Sequence, residues 1–341
     1  MEPMFEKDGK TIRFRTYKTS DFPMYLQCVK AFYEDGYPYQ EYLQETYLQQ
    51  KIAGNKFLLT VGEIEGGKIV STLAAVLQTD SFQNSILFML RNVLPEYVGA
   101  GIASKQLDYM IELLPKYFPE AESVYADVVT YNSISQKSLI RRGYVLCGMR
   151  LMLYKNEIIV PKLTYDAGTK LTQTVYCLNL KKGIQKSIYV PDEHEDIIRK
   201  IYQKLEVEVQ LSKMSDRLQQ DNSKKKSHWQ FMLMPEHEKA EWIIQEVSND
   251  FVKEITNSFE QYEKMEHRTA VVYLNMCDLH CKVAWDYFRS KGFYFSGVKP
   301  LNQEYEYVML SDTKHCNEQF ETIVMGEGEG HLLQYVLEEK E

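Results

Sequence analysis

The stretch "NVLPEYVGAGIASKQLDYMIELL", Asn92 to Leu114, decides how the first half of the chain is read. It begins as the end of an apolar strand, passes Pro95 and the small residues Gly99, Ala100, Gly101 and Ala103, and then becomes amphipathic. Leu107, Met110, Ile111 and Leu114 follow the i, i+3, i+4, i+7 spacing of one helix face, which leaves Lys105, Gln106 and Asp108 for the solvent side. A helix starting near Ile102 presents unpaired backbone N–H groups and the positive end of its dipole at this turn, which suits a phosphate. Glycine there lets the main chain approach an anion closely. Many strand-to-helix turns contain two glycines and bind nothing, so the turn acquires meaning only from what surrounds it.

Working outward, the upstream sequence alternates strand and helix patterns. "TIRFRTY" (Thr11 to Tyr17) has period two, and Ser20-Asp21 is placed to cap a helix over Phe22 to Phe32, followed by a second helix from about Gln40 to Ile52. Two β-rich runs flank Gly66-Gly67, a hairpin signal because both residues tolerate positive φ. "SILFMLRNVL" (Ser85 to Leu94) is the strand that leads into the glycine turn. Downstream come a buried strand (Ser123 to Tyr131), a short helix in "NSISQKSLIRRG", and two strands near Tyr144 to Tyr154 and Leu171 to Leu180. The polar "KKGIQKS" (Lys181 to Ser187) reads as a connector.

The chain has 341 residues, and at about 150 residues per domain this predicts roughly two. Beyond the connector, a helix from near Pro191 precedes a loop at Gln219 to His228. Strand, strand, helix, strand, helix and two strands follow. "ADVVTYNSISQKSLIRRGYVLCGM" and "AVVYLNMCDLHCKVAWDYFRSKGFYFSGV" share an order of strand, helix, glycine and aromatic, which points to a duplicated fold. "GEGEGHLLQYVLEE" ends the chain as a connector to a docking helix, since Glu327 and Glu329 oppose phosphate.

Composition bounds the function. Apolar residues at 44% and charged residues at 26% are those of a globular protein, and no run approaches the roughly 18 apolar residues of a membrane span. Without an apolar stretch, "MEPMFEKDGKTIRF" does not resemble a secretory signal, and a cytoplasmic location is expected. A net charge of −8 opposes binding to nucleic acid. The six cysteines lack framework spacing and read as reduced thiols; Cys277, His280 and Cys281 lack a fourth ligand, so no metal is expected.

The order of these pieces resembles the GNAT superfamily of N-acetyltransferases over about Thr11 to Leu180. In that superfamily the fourth strand enters a helix through a Gln/Arg-x-x-Gly-x-Gly/Ala turn, and Gly101 and Ala103 stand at its last two positions. Asn132 stands at the usual asparagine of the next helix. The resemblance implies a mixed α/β fold with a mostly antiparallel sheet flanked by helices, duplicated as a GNAT domain over 1–182 and a degenerate GNAT-like domain over 183–341. It implies acetyl-coenzyme A as co-substrate and a small-molecule or peptide amine as acceptor, with a homodimer open. Val98, Gly99, Ala100, Gly101, Ile102, Ala103 and Ser104 would cradle the pyrophosphate, with Asn132 nearby. The strand edge at Asn92 and Val93 would pair with the pantetheine amides, and a backbone N–H near Val93 would receive the developing oxyanion.

Two positions depart from the pattern. The first motif residue is Val98, and the position where the superfamily frequently carries a tyrosine general acid is Leu139. Asp127 and Tyr131 are the nearest candidates for a catalytic group, although core packing accounts for Tyr131 and Tyr144 equally well. The loop "YEDGYPYQEY", with Glu34 and Asp35, offers an acceptor wall or simply solvated charges. A non-catalytic coenzyme A-binding or regulatory protein is the alternative function. In the second half, "AEWIIQEVSNDFVKEI" carries Glu246 and Asp250 where phosphate would sit, which predicts loss of coenzyme A binding there.

Overall fold

A computed structural model describes residues 4–7, 10–131, 133–155, 170–214 and 226–341. The expected Asn132 contact and most of the expected loop at Gln219 to His228 lie outside the described residues. The described residues form two compact units, one from those within 1–78 and 86–121, the other from those within 79–85, 122–155 and 170–341. Each is a mixed α/β structure with a mostly antiparallel sheet flanked by helices. No described helix is long and apolar enough to cross a membrane.

In the first unit β1 (Met4–Lys7), β2 (Lys10–Thr16), β3 (Phe57–Ile64), β4 (Ile69–Leu77) and β5 (Ser85–Val93) lie side by side in sequence order, each antiparallel to the next. The β3–β4 turn has Gly66 and Gly67 at φ 86° and 82°, the left-handed conformations the Gly-Gly pair predicts. Helices α1 (Phe22–Tyr33), α2 (Glu45–Ala53) and α3 (Ile102–Tyr117) complete the unit. The expected second helix opens as a 3-10 turn at Gln40–Leu43. The tyrosines of the preceding loop divide by environment. Tyr37 and Tyr42 are buried in a core cluster with Tyr25, Leu48 and Phe57, whereas Tyr39 is largely exposed.

Asp21 corrects one local expectation. It occupies the N-cap of α1, but its side chain makes no bond to that helix. Its carboxylate accepts the Lys18 amide at 2.7 Å and two Arg15 bonds at 2.7 and 2.9 Å, while the Arg15 Nε reaches Glu63. A buried guanidinium outcompetes a helix amide for the same oxygens, because leaving that cation unpaired would cost more.

The second unit contains β6 (Ser123–Val129), α4 (Ile134–Ile140), β7 (Val145–Lys155), β8 (Lys170–Asn179), β9 (Gln185–Val190), α5 (Glu195–Lys204), β10 (Glu208–Lys213) and β11 (His228–Met234). After these come β12 (Lys239–Glu246), α6 (Phe251–Glu263), β13 (Arg268–Asn275), α7 (Cys281–Ser290), β14 (Tyr294–Asn302), β15 (Tyr305–His315) and α8 (Gly330–Lys340). Part of the expected connector is strand: Gln185 to Ser187 open β9, which pairs in parallel with β10 and buries Ile188 and Val190.

The main sheet of this unit runs β6-β8-β7-β14-β15-β13-β12-β11, with only β12 and β13 parallel to each other. The triplets β6-β8-β7 and β13-β15-β14 have the same internal order. This is the repeat visible in the sequence, and the triplets meet at β7 and β14, where Gly148 faces Gly297. A Cβ on Gly297 would stand 2.2 Å from the Gly148 Cα, and one on Gly148 would meet the Met309 sulfur at 2.8 Å. Only glycine allows that approach. The C-terminal segment docks as expected, with Arg289 pairing Glu339 at 2.6 Å and the Tyr335 hydroxyl 2.9 Å from His194 Nδ1.

Two predictions follow from these contacts. Burial pulls the Asp21 carboxyl up, but the Arg15 bonds and the Lys18 amide more than compensate and hold it below its ordinary value of 3.8. Its contribution is therefore present above that value and disappears as pH falls toward the folded-state pKa. Asp21→Asn should cost about 3 kcal/mol in urea unfolding at pH 7, and the gap to the parent should narrow below about pH 4. Gly297→Ala should cost about 3 kcal/mol through overpacking, whereas Gly292→Ala, at φ 89° with open space around it, should cost only about 1 kcal/mol.

Candidate functional site

The geometry around the glycine turn is built by β4, β5 and α3. Asn92 pairs with Thr72 and Met89 with Ala74, so Leu90 and Arg91 together oppose Leu73 in a β-bulge, with Leu90 at φ 55°. The buried Thr72 hydroxyl donates to the Leu90 carbonyl at 2.7 Å, and the Asn92 side-chain amide lies 3.4 Å from that hydroxyl. These contacts hold an otherwise unfavourable backbone. Beyond the bulge the Leu94 amide bonds Val70. By the alternation of an antiparallel pair, Asn92 and Leu94 turn their main-chain groups toward β4, and Val93 turns its N–H and C=O toward the opposite edge of β5.

The turn itself is tethered at both ends. Leu94 and Ile102 are buried in one apolar cluster with Ile12, Phe14, Val61 and Val70. Between them Val98, Gly99 and Gly101 are exposed, Val98 at 66%. Gly99 and Gly101 have φ of 87° and 81°, and Gly101 is the N-cap of α3 with no side chain bonding into the helix. The first intrahelical bond runs from the Lys105 amide to the Gly101 carbonyl. Amides ahead of it, including those of Ile102 and Ala103, lie at the helix's positive end, and no acidic residue stands in the first turn. This donor set fits a pyrophosphate, which needs convergent N–H groups and no opposing carboxylate.

Gln106 corrects the expectation that it faces water. It is buried, and its Nε2 donates to the Thr60 carbonyl at 3.0 Å and lies 3.2 Å from the Thr60 hydroxyl. The residue locks the first turns of α3 onto β3 and so fixes where the helix amides point. Its i+4 spacing from Ile102 and i−4 spacing from Met110 was the available signal, overlooked because glutamine is usually exposed.

The other candidate residues belong to the second unit. Asp127 lies on β6 with Oδ2 at 3.1 Å from Arg150, whose guanidinium also reaches Gln173 at 3.3 Å and Glu241 at 2.7 Å. Tyr131 is half-buried in the turn after β6, and Tyr144 is buried. Leu139 is 1% exposed on α4. All six thiols are free, and burial pushes Cys28 up to about 12 and Cys277 up to about 11. Among the described residues no group of three His, Cys, Asp or Glu side chains is placed to hold a metal ion.

The equivalent crossover between β12 and α6 has used its own amides. The Val247 amide donates to Asp278 at 2.6 Å, the Ser248 amide to Ser227 at 2.9 Å, and the Asp250 amide to the Ser248 hydroxyl at 3.2 Å. Asp250 is the N-cap of α6, and Glu254 stands in its first turn. Neither the donors nor the charge suits phosphate there.

No protein-family model matches the chain, and no curated protein matches it. Among solved structures it is similar to the ribosomal-protein-S18-alanine N-acetyltransferase from Escherichia coli, with 15% identity and a TM-score of 0.39 over 50% of this chain and 96% of that one. It is also similar to an N-acetyltransferase from Staphylococcus aureus Mu50, with 18% identity and a TM-score of 0.39 over 50% of this chain and 99% of that one. Mutant forms of the spermidine/spermine N-acetyltransferase SpeG from Vibrio cholerae give 14% identity and a TM-score of 0.38 over 49% and 94%. What the site can do is therefore read from its own geometry.

The Gln106 contact generates a direct test. Gln106→Leu keeps the volume but leaves the buried Thr60 carbonyl without this donor, and should lower stability by about 1–2 kcal/mol in urea unfolding.

Proposed function

We propose that the chain is an acetyl-coenzyme A-dependent N-acetyltransferase, acting on a small-molecule or peptide amine in the cytoplasm. The observation that carries this reading is the turn between β5 and α3. Its two left-handed glycines, uncapped helix start and lack of first-turn carboxylates form an anion cradle, directly after a strand in which Val93 turns its N–H and C=O away from β4. In this reading the turn Val98 to Ser104 holds the pyrophosphate chiefly through main-chain N–H groups at the start of α3, since the Val98 and Ala100 amides bond Pro95 and Tyr97 within the turn, and a valine at the first motif position weakens the site without abolishing it. The backbone of Val93 lies along the pantetheine, the main-chain groups of Asn92 being turned toward β4, and we assign Asn132 to the same cofactor. The repeat units of the duplicated fold are 1–182 and 183–341, the second without coenzyme A.

The reaction would be direct transfer. A neutral amine attacks the thioester carbon, a C–N bond forms and the C–S bond breaks. The Val93 N–H stabilises charge on the carbonyl oxygen. The thiolate leaves with the electron pair, and the ammonium proton passes to solvent or to the thiolate. A thiol of ordinary pKa near 8.5 can leave without a strong acid, which accommodates leucine at position 139. The alternative, a coenzyme A-binding regulatory protein without turnover, draws on a specific observation. Leu139 is a buried apolar residue, and the Asp127 carboxylate is engaged by Arg150.

Acetyl-coenzyme A should raise the melting temperature of the parent chain. Gly101→Glu should abolish that shift through its charge and its strained φ, and an unchanged ligand response in this variant would remove the site assignment. Thiol release in the presence of a panel of amines, amino acids and peptides separates the two readings. A transferase releases thiol with at least one acceptor, whereas a binding protein gives ligand-induced stabilisation and no release above background.

A further inference from the structure

The second unit has a cleft of about 350 Å³ at the carboxyl ends of the parallel strands β12 and β13, closed on one side by the β14–β15 turn. Carboxyl ends of adjacent parallel strands are where open α/β sheets place ligands, and the volume lies in the range of small-molecule sites rather than of a single bare ion. Gln245 and Glu246 end β12, Asn275 ends β13, and Glu304 and Tyr305 come from the turn.

The polar lining is rich in acceptors. The amides that would make this end an anion site are consumed by Asp278, Ser227 and Ser248. Gln245 is 3% exposed, yet its Oε1 is buried without a hydrogen-bond partner, although the residue lines the cleft. An unpaired buried carbonyl of this kind is unfavourable unless a donor arrives. Glu246 and Glu304 add negative charge at the mouth. Their field reaches Tyr305, whose phenol is held above its ordinary value first by burial and then by these two carboxylates, against a hydrogen bond with the Gln245 side-chain amide. Leu279 and the half-buried Cys277 supply an apolar wall.

We propose that this cleft binds an organic ammonium ion, a protonated aliphatic amine whose N–H groups satisfy the Gln245 carbonyl and whose charge is met by Glu246 and Glu304. The site lies in the second unit and stands independently of the coenzyme A reading.

Titration calorimetry of the full chain with 1,4-diaminobutane tests this, with 1,4-butanediol, butyrate and magnesium ion as comparison probes. Saturable binding of the diamine is expected, with none for the diol or the carboxylate and no displacement by equimolar magnesium. Glu304→Gln, on an exposed turn, and Gln245→Leu should each weaken the diamine at least tenfold. Melting temperature checks that each variant is folded, and the exposed turn variant alone suffices should Gln245→Leu misfold. The response to acetyl-coenzyme A should be the same in Glu304→Gln as in the parent, so failure of one site is distinguishable from failure of the other. Absence of saturable diamine binding, an affinity unmoved by Glu304→Gln, or equal competition by magnesium would overturn the proposal.

Discussion

Gly148 and Gly297 meet across β7 and β14 at a distance no side chain permits, and the architecture of the second unit depends on that approach. It brings two copies of one strand triplet together through equivalent residues, since the glycine of "LCGM" and the glycine of "FSGV" end the two repeated stretches. Around this seam, polar groups cross from one triplet to the other. Arg150 of β7 binds Asp127 and Gln173 within its own triplet and reaches Glu241 of β12, beside the other triplet. Ser123 Oγ donates to the Leu301 carbonyl at 2.8 Å, and the Tyr125 hydroxyl donates to Pro300. Buried ions add little net stability as pairs but are expensive when one partner is lost, so the seam tolerates few arrangements.

The duplicated pattern also shows one supersecondary unit built with opposite donors and charge. At the β5–α3 turn two glycines in left-handed conformation lead into a helix with no side-chain cap and no carboxylate in the first turn. At β12–α6 serine and aspartate side chains satisfy the amides from within, and Asp250 and Glu254 occupy the helix start. The difference is one of donors and charge rather than backbone plan. A helix N-terminus is a site only while its amides remain unclaimed.

Much of the first unit was legible in order and type. The hairpin at Gly66-Gly67, the strand Ser85 to Val93 and the helix start at Ile102 all follow from period, glycine placement and apolar spacing. Two residues that determine the geometry of the glycine turn were not legible. Gln106 reads as a polar residue for the surface and Thr72 carries no distinguishing signal, yet both are buried because each meets a main-chain carbonyl contributed from outside its own segment. Asp21 was read as a helix cap and serves Arg15 instead. In each case local propensity was overridden by a partner that the linear pattern does not reveal.

By itself, the sequence determined the alternation of strands and helices, the repeat, and the glycine turn with its uncapped helix. These are local properties, set by backbone sterics and by which faces of an element are apolar. Tertiary structure alone decided which triplet strands adjoin, that Gly148 and Gly297 must touch, that Val93 rather than Asn92 turns its backbone away from β4, and that the second crossover spends its amides internally. Those outcomes depend on register and on hydrogen bonds between distant segments, and a register shift of one residue turns every side chain of a strand to its other face.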